Sequence, residues 1–230
     1  MYFNKIRHPS NFTFAHAHTN GSLAIGAKPV QAKVRDLGED VFHVELRDAN
    51  RWPLDARVLP LYDDAFAGTD SRYQLLITDS GNLALHSGSG DGGTGGEAIL
   101  SGIDGACLGA CGSAWLVQFA RNAEMRFFGQ GEKVTGLEKT GKRTKYWNAD
   151  VWADHAMHTI ETGQADPQYA TVPYLLVRQG QQWVGILVDH PGAVFMDTGS
   201  NWFFFGKDDQ DAPPSFWLGA PQGVPALYVI

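Results

Sequence analysis

Cysteine is nearly absent from this 230-residue chain, which has only Cys107 and Cys111, separated by Leu-Gly-Ala. A bridge across so short a loop is geometrically awkward, and two cysteines make no disulfide framework. Both are expected to be free, buried thiols. Long apolar runs are missing too: no stretch approaches the ~18 apolar residues of a membrane span, and the opening MYFNKIRHPS has no hydrophobic leader segment. A cytoplasmic protein is the expectation, with no membrane partner. Excess positive charge is also lacking, since the net charge is -7; a general nucleic-acid binder needs a net basic face to neutralise phosphates. Nor is there any long segment with sustained i, i+3, i+4, i+7 apolar spacing, so helix is expected to be scarce.

What the chain does have is period-two patterning. In VFHVELR (41–47), Phe42, Val44 and Leu46 share one face and His43, Glu45 and Arg47 the other; Trp115, Val117 and Phe119 alternate in AWLVQFAR. YLLVR (174–178) and WVGILVD (183–189) flank Gln179-Gly180-Gln181-Gln182, which reads as a hairpin turn. Further strand-like runs are YQLLIT, NLALH, AVFMD, WFFFG and ALYVI. About a dozen short strands separated by Gly, Pro, Asn and Asp predict an all-β sandwich or barrel, and this length is common for one such domain. Hydrophobic residues at 43% and aromatics at 12% suffice for a packed core and argue against disorder. Asp91–Gly96, DGGTGG, lacks the Gly-Lys-Ser/Thr ending of a phosphate loop and is expected to be a surface loop. The apolar finish, Ala226 to Ile230, reads as a strand at a domain boundary, so that a longer polypeptide is expected.

Candidate chemistry is sparse. His16 and His18 alternate along a strand, and His155 and His158 form an HxxH, but neither pair has further ligands close by in sequence, so no metal is expected. No Gly-x-Ser-x-Gly elbow occurs, and no cofactor motif is found. The segment from Tyr146 to Tyr169 is different: Trp147, Trp152, Tyr146 and Tyr169 stand beside Asn148, Asp150, Asp154 and Asp166. Flat apolar faces for a sugar ring, with carboxylates and amides for its hydroxyls, are what a carbohydrate site requires; ordinary core and loop packing is the equal alternative. Just before it, Glu132–Lys145 holds five basic and two acidic residues, net +3, leaving -10 for the rest. Lysines interrupted by glycines and threonines read as a solvated surface hairpin.

Taken in order, Phe128-Gly129-Gln130-Gly131-Glu132-Lys133, Gly141-Lys142-Arg143 and Trp147-Asn148-Ala149-Asp150 resemble the N-terminal domain of glycoside hydrolase family 31, the α-glucosidase and α-xylosidase family. Asp166-Pro167-Gln168-Tyr169, Val172-Pro173-Tyr174 and Gly185-Ile186-Leu187-Val188-Asp189 continue the series, so that the likeness is firm over about 115–205. Two departures stand out: Thr140 precedes Gly141 where many members have Arg, and the stretch between Asp150 and Asp166 carries its own His155 and His158. The resemblance implies a large antiparallel sandwich of the galactose-mutarotase type spanning 1–230, packed in the parent enzyme against a catalytic (β/α)₈ barrel. That barrel would supply both aspartates of a retaining mechanism, their carboxyls about 5–5.5 Å apart. Trp152-Ala153-Asp154-His155 lacks the Met-Asn-Glu continuation of the family's nucleophile motif, so no catalytic residue is expected in this chain. By position, Asp150 would bind the sugar at the pocket rim, with Trp147, Asn148 and Trp152 beside it; the partners implied are an α-glucoside-like substrate and the barrel of the same polypeptide. Two other readings stay open: a carbohydrate-binding module, and a mutarotase-like epimerase using His155, His158 or His190 with Glu161. Clustered aromatics at Trp202–Phe205 and Trp217 are expected to form an exposed docking face.

Overall fold

The structure, a computed structural model, describes residues 12–17, 23–25, 28–48, 71–88, 96–133, 136–147, 170, 172–199, 214–223 and 226–230. All the regular elements among them are strands: β1 (Thr13–Ala17), β2 (Leu23–Ile25), β3 (Lys28–Asp36), β4 (Phe42–Asp48), β5 (Tyr73–Ile77), β6 (Leu83–Ser87), β7 (Ala98–Ser101) and β8 (Leu108–Cys111) in the first half. The second half adds β9 (Ala114–Ala120), β10 (Arg126–Gly129), β11 (Arg143–Tyr146), β12 (Tyr174–Gln179), β13 (Gln182–Val188), β14 (Val194–Asp197), β15 (Ser215–Ala220) and β16 (Ala226–Val229). The all-β expectation holds.

Thirteen strands form one continuous sheet in the order β10-β12-β13-β16-β4-β3-β2-β1-β8-β9-β15-β14-β11, and β5-β6-β7 form a separate small sheet. The short strands β1 and β2 join two larger halves, and those halves close on each other as the leaves of a sandwich. Inward side chains from both halves share one core: Phe42, Val44, Val177, Ile186 and Leu227 from one, Trp115, Val117, Met196, Phe216 and Leu218 from the other. The Phe127 and Phe216 rings, one from each half, meet edge to face at 4.9 Å. In β9 and β15, Phe119 and Phe216 are directly opposite, and their rings stack at 5.2 Å, a cross-strand pairing that fixes register as well as burying area.

Turn chemistry sets the connections. The 174–189 hairpin forms as its residues predict, with Gln179 paired to Gln182 across Gly180-Gln181. Gly180 has φ 59, the left-handed first position of a type II′ turn, whose twist matches that of the strands. Between β12 and β13 the Tyr174 ring lies so close to Gly185 that a Cβ there would be 2.2 Å from the hydroxyl oxygen. The glycine of the Gly-Ile-Leu-Val-Asp run is therefore required by the tyrosine of Val-Pro-Tyr.

Period-two patterning separates two faces of a strand without telling which is wet. His43 and Glu45, on the face of β4 opposite Phe42 and Val44, are both buried, and the Tyr228 ring lies 4.8 Å from the imidazole. Trp217 is likewise buried at 3% exposure, which corrects its assignment to an exposed docking face. It packs on the outer side of the sheet with Phe12, Ala114, Leu116 and Phe195, under the Arg143 guanidinium at 5.5 Å. Strands buried on both faces take apolar residues at consecutive positions, as Phe216, Trp217 and Leu218 do in β15. Trp202–Phe205 lie outside the described residues, as do Asp91–Gly95.

Candidate sugar-binding site

The glycine-rich stretch after β10 builds the site's base. Gly129, Gln130 and Gly131 all have positive φ, at 84°, 74° and 65°, so the chain turns through three successive left-handed residues. Glycine is needed at both ends of that bend: a Cβ on Gly129 would approach the Tyr174 carbonyl oxygen to 2.8 Å, and one on Gly131 would approach the Val172 nitrogen to 2.9 Å. Gln130 donates its N–H to the Tyr174 carbonyl at 2.8 Å, and its side chain is fully buried. The bend is thus locked against the start of β12.

The basic residues that follow are mostly tied down, which corrects their reading as a solvated hairpin. Lys133 donates to the Lys145 carbonyl at 2.6 Å, and its ammonium lies over the Tyr146 ring at 4.8 Å. Lys139 is buried and donates to the Gly136 carbonyl at 2.6 Å. Arg143 pairs with Asp197 at 2.8 Å across β11 and β14. Thr198 knits the same corner, its hydroxyl donating to the Lys139 carbonyl and accepting from the Lys142 N–H at 3.0 Å. Only Lys142 of the five is exposed. Buried or half-buried ammonium groups must find acceptors, and here backbone carbonyls and one carboxylate supply them.

Beyond β11 the chain reaches the predicted sugar-binding residues. Tyr146 is buried in the main core and accepts a hydrogen bond from the Thr144 hydroxyl at 3.3 Å, so it is packing and no platform for a ring. Trp147, the next residue, is 47% exposed. Alternation along β11 explains the difference: one side chain faces in and the next faces out. Asn148, Asp150 and Trp152 lie outside the described residues, as do Asp154, His155, His158, Glu161, Asp166 and Tyr169. The span returns at Ala170, whose N–H donates to the Glu132 carboxylate at 2.9 Å.

The other candidate chemical groups have structural partners. His190 uses both ring nitrogens, Nδ1 accepting from the Gly192 N–H at 3.0 Å and Nε2 facing the Gln222 carbonyl at 2.7 Å. A carbonyl only accepts, which makes Nε2 the protonated nitrogen. His16 is exposed, 3.5 Å from the Phe14 carbonyl. Among the described residues no group of three or more His, Cys, Asp or Glu is placed to hold a metal ion. Cys107 is buried and free, but Cys111 is exposed, against the expectation that both are buried.

A long antiparallel sheet folded over itself, with an exposed aromatic just after its edge strand, defines an all-β sandwich. Residues 109–197 match the glycosyl hydrolase 31 N-terminal galactose mutarotase-like domain. By that match, this stretch is similar to the N-terminal domain of glycoside hydrolase family 31, and the matched residues contain the motif series from Phe128 to Asp189. Solved structures agree on the fold. A dextranase of the family from Flavobacterium johnsoniae, complexed with glucose, is 13% identical with a TM-score of 0.64, over 91% of this chain and 24% of that one. The α-1,4-glucan lyase of Gracilariopsis lemaneiformis is 15% identical with a TM-score of 0.61, over 96% of this chain and 28% of that one. The cycloalternan-forming enzyme of Listeria monocytogenes, in complex with a pentasaccharide substrate, is 14% identical with a TM-score of 0.57, over 94% of this chain and 21% of that one. The chain thus spans about a quarter of the length of these enzymes. No curated protein matches the sequence.

Proposed function

We propose that this chain is the non-catalytic N-terminal domain of a retaining α-glycosidase and lends a loop to the rim of its sugar pocket. The observation that carries the reading is the match over 109–197, which includes both the locked bend at Gly129–Gly131 and the exposed Trp147. In this reading a (β/α)₈ barrel of the same polypeptide holds the nucleophile and the acid that flank the glycosidic bond. Asp150 accepts hydrogen bonds from sugar hydroxyls, Trp147 and Trp152 offer apolar faces, and Asn148 adds a polar contact. The fold supports this role: the sandwich provides a stiff support, and loops on such supports carry binding residues. The substrate class proposed is an α-glucoside-like carbohydrate.

The epimerase alternative draws no support from His190, whose two nitrogens are engaged by Gly192 and Gln222. A stand-alone carbohydrate-binding module remains the second reading, favoured by the exposure of Trp147. Asp150→Ala in the enzyme that carries this domain separates the two. A charged hydrogen-bond partner contributes on the order of 1.5–3 kcal/mol, so kcat/KM is expected to fall roughly ten- to hundredfold with folding nearly intact. Unchanged kcat/KM, or an equal loss of thermal stability without a kinetic effect, rejects the rim role.

A further inference from the structure

Strands β10 and β11 follow one another in the chain but stand at opposite ends of the thirteen-strand order. The connection between them therefore runs from one open edge of the sheet to the other. An open edge presents N–H and C=O groups that can add a strand from another chain. At the β10 edge, the Phe127 carbonyl accepts from the Lys139 N–H at 2.6 Å, and the Phe127 N–H donates to the Thr140 hydroxyl at 3.4 Å. At the other edge, the Lys142 carbonyl faces β14 and accepts from the Thr198 N–H at 2.9 Å. Alternation along the strand then turns the Lys145 carbonyl outward, where the Lys133 ammonium donates to it at 2.6 Å. We infer that the β10–β11 connection is a cap on both edges, which keeps each from adding a strand of a second copy of this chain.

The capping residues are held in place from both halves of the sheet. Lys139 gives its N–H to β10 in one half and its carbonyl to the Thr198 hydroxyl, just past β14, in the other. Thr198 also fixes the next two residues, its carbonyl accepting from the Gly141 N–H at 3.2 Å and its hydroxyl from the Lys142 N–H at 3.0 Å. The Thr140 hydroxyl donates to the Glu138 carboxylate at 2.7 Å, which leaves its oxygen to accept from Phe127. Lysine is a residue that edges use to discourage pairing, and Lys133 and Lys139 give the basic run at 132–145 that purpose. A second copy is the relevant hazard because it carries the same two edges. Beside β10 the Phe128 and Trp183 rings lie 5.5 Å apart, and Trp183 is 50% exposed, so a strand added there would also cover apolar surface. The cap is independent of any sugar contact.

The test uses the whole 230-residue chain. Thr140→Val removes the acceptor for Phe127 and keeps the side-chain shape, Thr140→Ser keeps the hydroxyl, and Lys133→Met keeps the length without the ammonium. One readout is hydrogen exchange at the Phe127 amide, with Val117 in the inner strand β9 as control. The other is size-exclusion chromatography with light scattering over a range of concentrations. In dilute solution Thr140→Val is expected to speed Phe127 exchange several-fold with Val117 unchanged. As concentration rises it should form larger species than wild type, with Phe127 exchange slowing again as an added strand covers it. Lys133→Met, which opens the other edge, is expected to associate with Phe127 exchange unchanged, and Thr140→Ser to match wild type in both readouts. Wild-type elution of the double variant Lys133→Met/Thr140→Val at every concentration overturns the cap. So does association of Thr140→Val that leaves Phe127 exchanging fast, a Thr140→Ser protein as impaired as Thr140→Val, or faster exchange at Val117, which marks general loss of structure.

Discussion

The thiol of Cys107 lies under the backbone of Gly102, where a Cβ would come within 2.4 Å of the sulfur. Burial there pushes its pKa from 9.0 up to about 12, because a thiolate would lose its water without gaining a cation. Four residues on, Cys111 ends β8 exposed to solvent. Iodoacetamide at pH 8 is therefore expected to label Cys111 in the native protein, and Cys107 only after unfolding, because the thiolate is the reactive form. Mass spectrometry of native and urea-treated samples checks this; prompt native labelling of Cys107 contradicts the burial. The same shift has a stability consequence. Above pH 9.0 the unfolded chain loses the Cys107 proton while the folded chain keeps it, so the unfolded state binds fewer protons. Stability from this residue is complete below that pH and is lost as pH rises towards about 12. Cys107→Ser should flatten that decline in urea-melt midpoints.

At the scale of single elements, the two left-handed glycines at Gly129 and Gly180 separate conformational cost from collision. Both have positive φ, but a Cβ on Gly180 would meet nothing within 4 Å, whereas one on Gly129 would come within 2.8 Å of the Tyr174 carbonyl oxygen. Gly180→Ala should cost about 1 kcal/mol, the left-handed penalty alone. Gly129→Ala should cost roughly 2–3 kcal/mol, since the strand pair must also shift. Denaturant midpoints at constant m-value measure the difference, and equal losses would count against the close β10–β12 approach. The same elements show what was legible beforehand. The 174–189 hairpin and the inward faces of β4 and β9 follow from alternation and a glycine turn. Strands β3, β7, β8 and β15 were not singled out, because mixed or short runs such as KPVQAKVRD and LGAC carry little periodic signal. Burial of His43, Glu45 and Trp217 escaped the pattern because alternation records only that two faces differ. Which faces become covered depends on distant parts of the chain. For the candidate site, the ordered motifs fall within the matched stretch 109–197, and of the four proposed sugar contacts Trp147 is described and exposed. That Tyr146 belongs to the core, that Glu132 accepts from Ala170 and that Lys133 donates to Lys145 depend on contacts across the fold, with no local signature.

At the scale of the whole molecule, the described core joins two halves of one sheet. Far-UV circular dichroism should show strand with little helix, and the purified chain should hydrolyse no aryl α-glycoside above background. The second expectation is chemical: a retaining mechanism needs a nucleophile and an acid on one bond, and the family motif for the nucleophile is not found here. Turnover that disappears on changing Glu161 or His158 would reverse this and revive the epimerase reading. Strand β16 adds a further expectation. It pairs with β13 on one side and β4 on the other, and Ile230 exchanges backbone hydrogen bonds with Gly185 at 2.8 and 2.9 Å. Deleting 226–230 should leave two unpaired inner strands, which are templates for association, and size-exclusion chromatography should report larger species than for the intact chain. A well-folded truncated protein of unchanged oligomeric state would show that the sheet closes without β16.

The place of β16 also bears on the order of events during synthesis. Its neighbour β4 is made early and waits, with one edge unfilled, while the whole of the intervening chain is translated. Until Ala226–Val229 leave the ribosome, β4 and β13 have no bridge between them, and the nascent domain can hold only separate pieces. Pairing across such a sequence separation is slow, so the interval in which open edges are vulnerable is set by translation speed up to this strand.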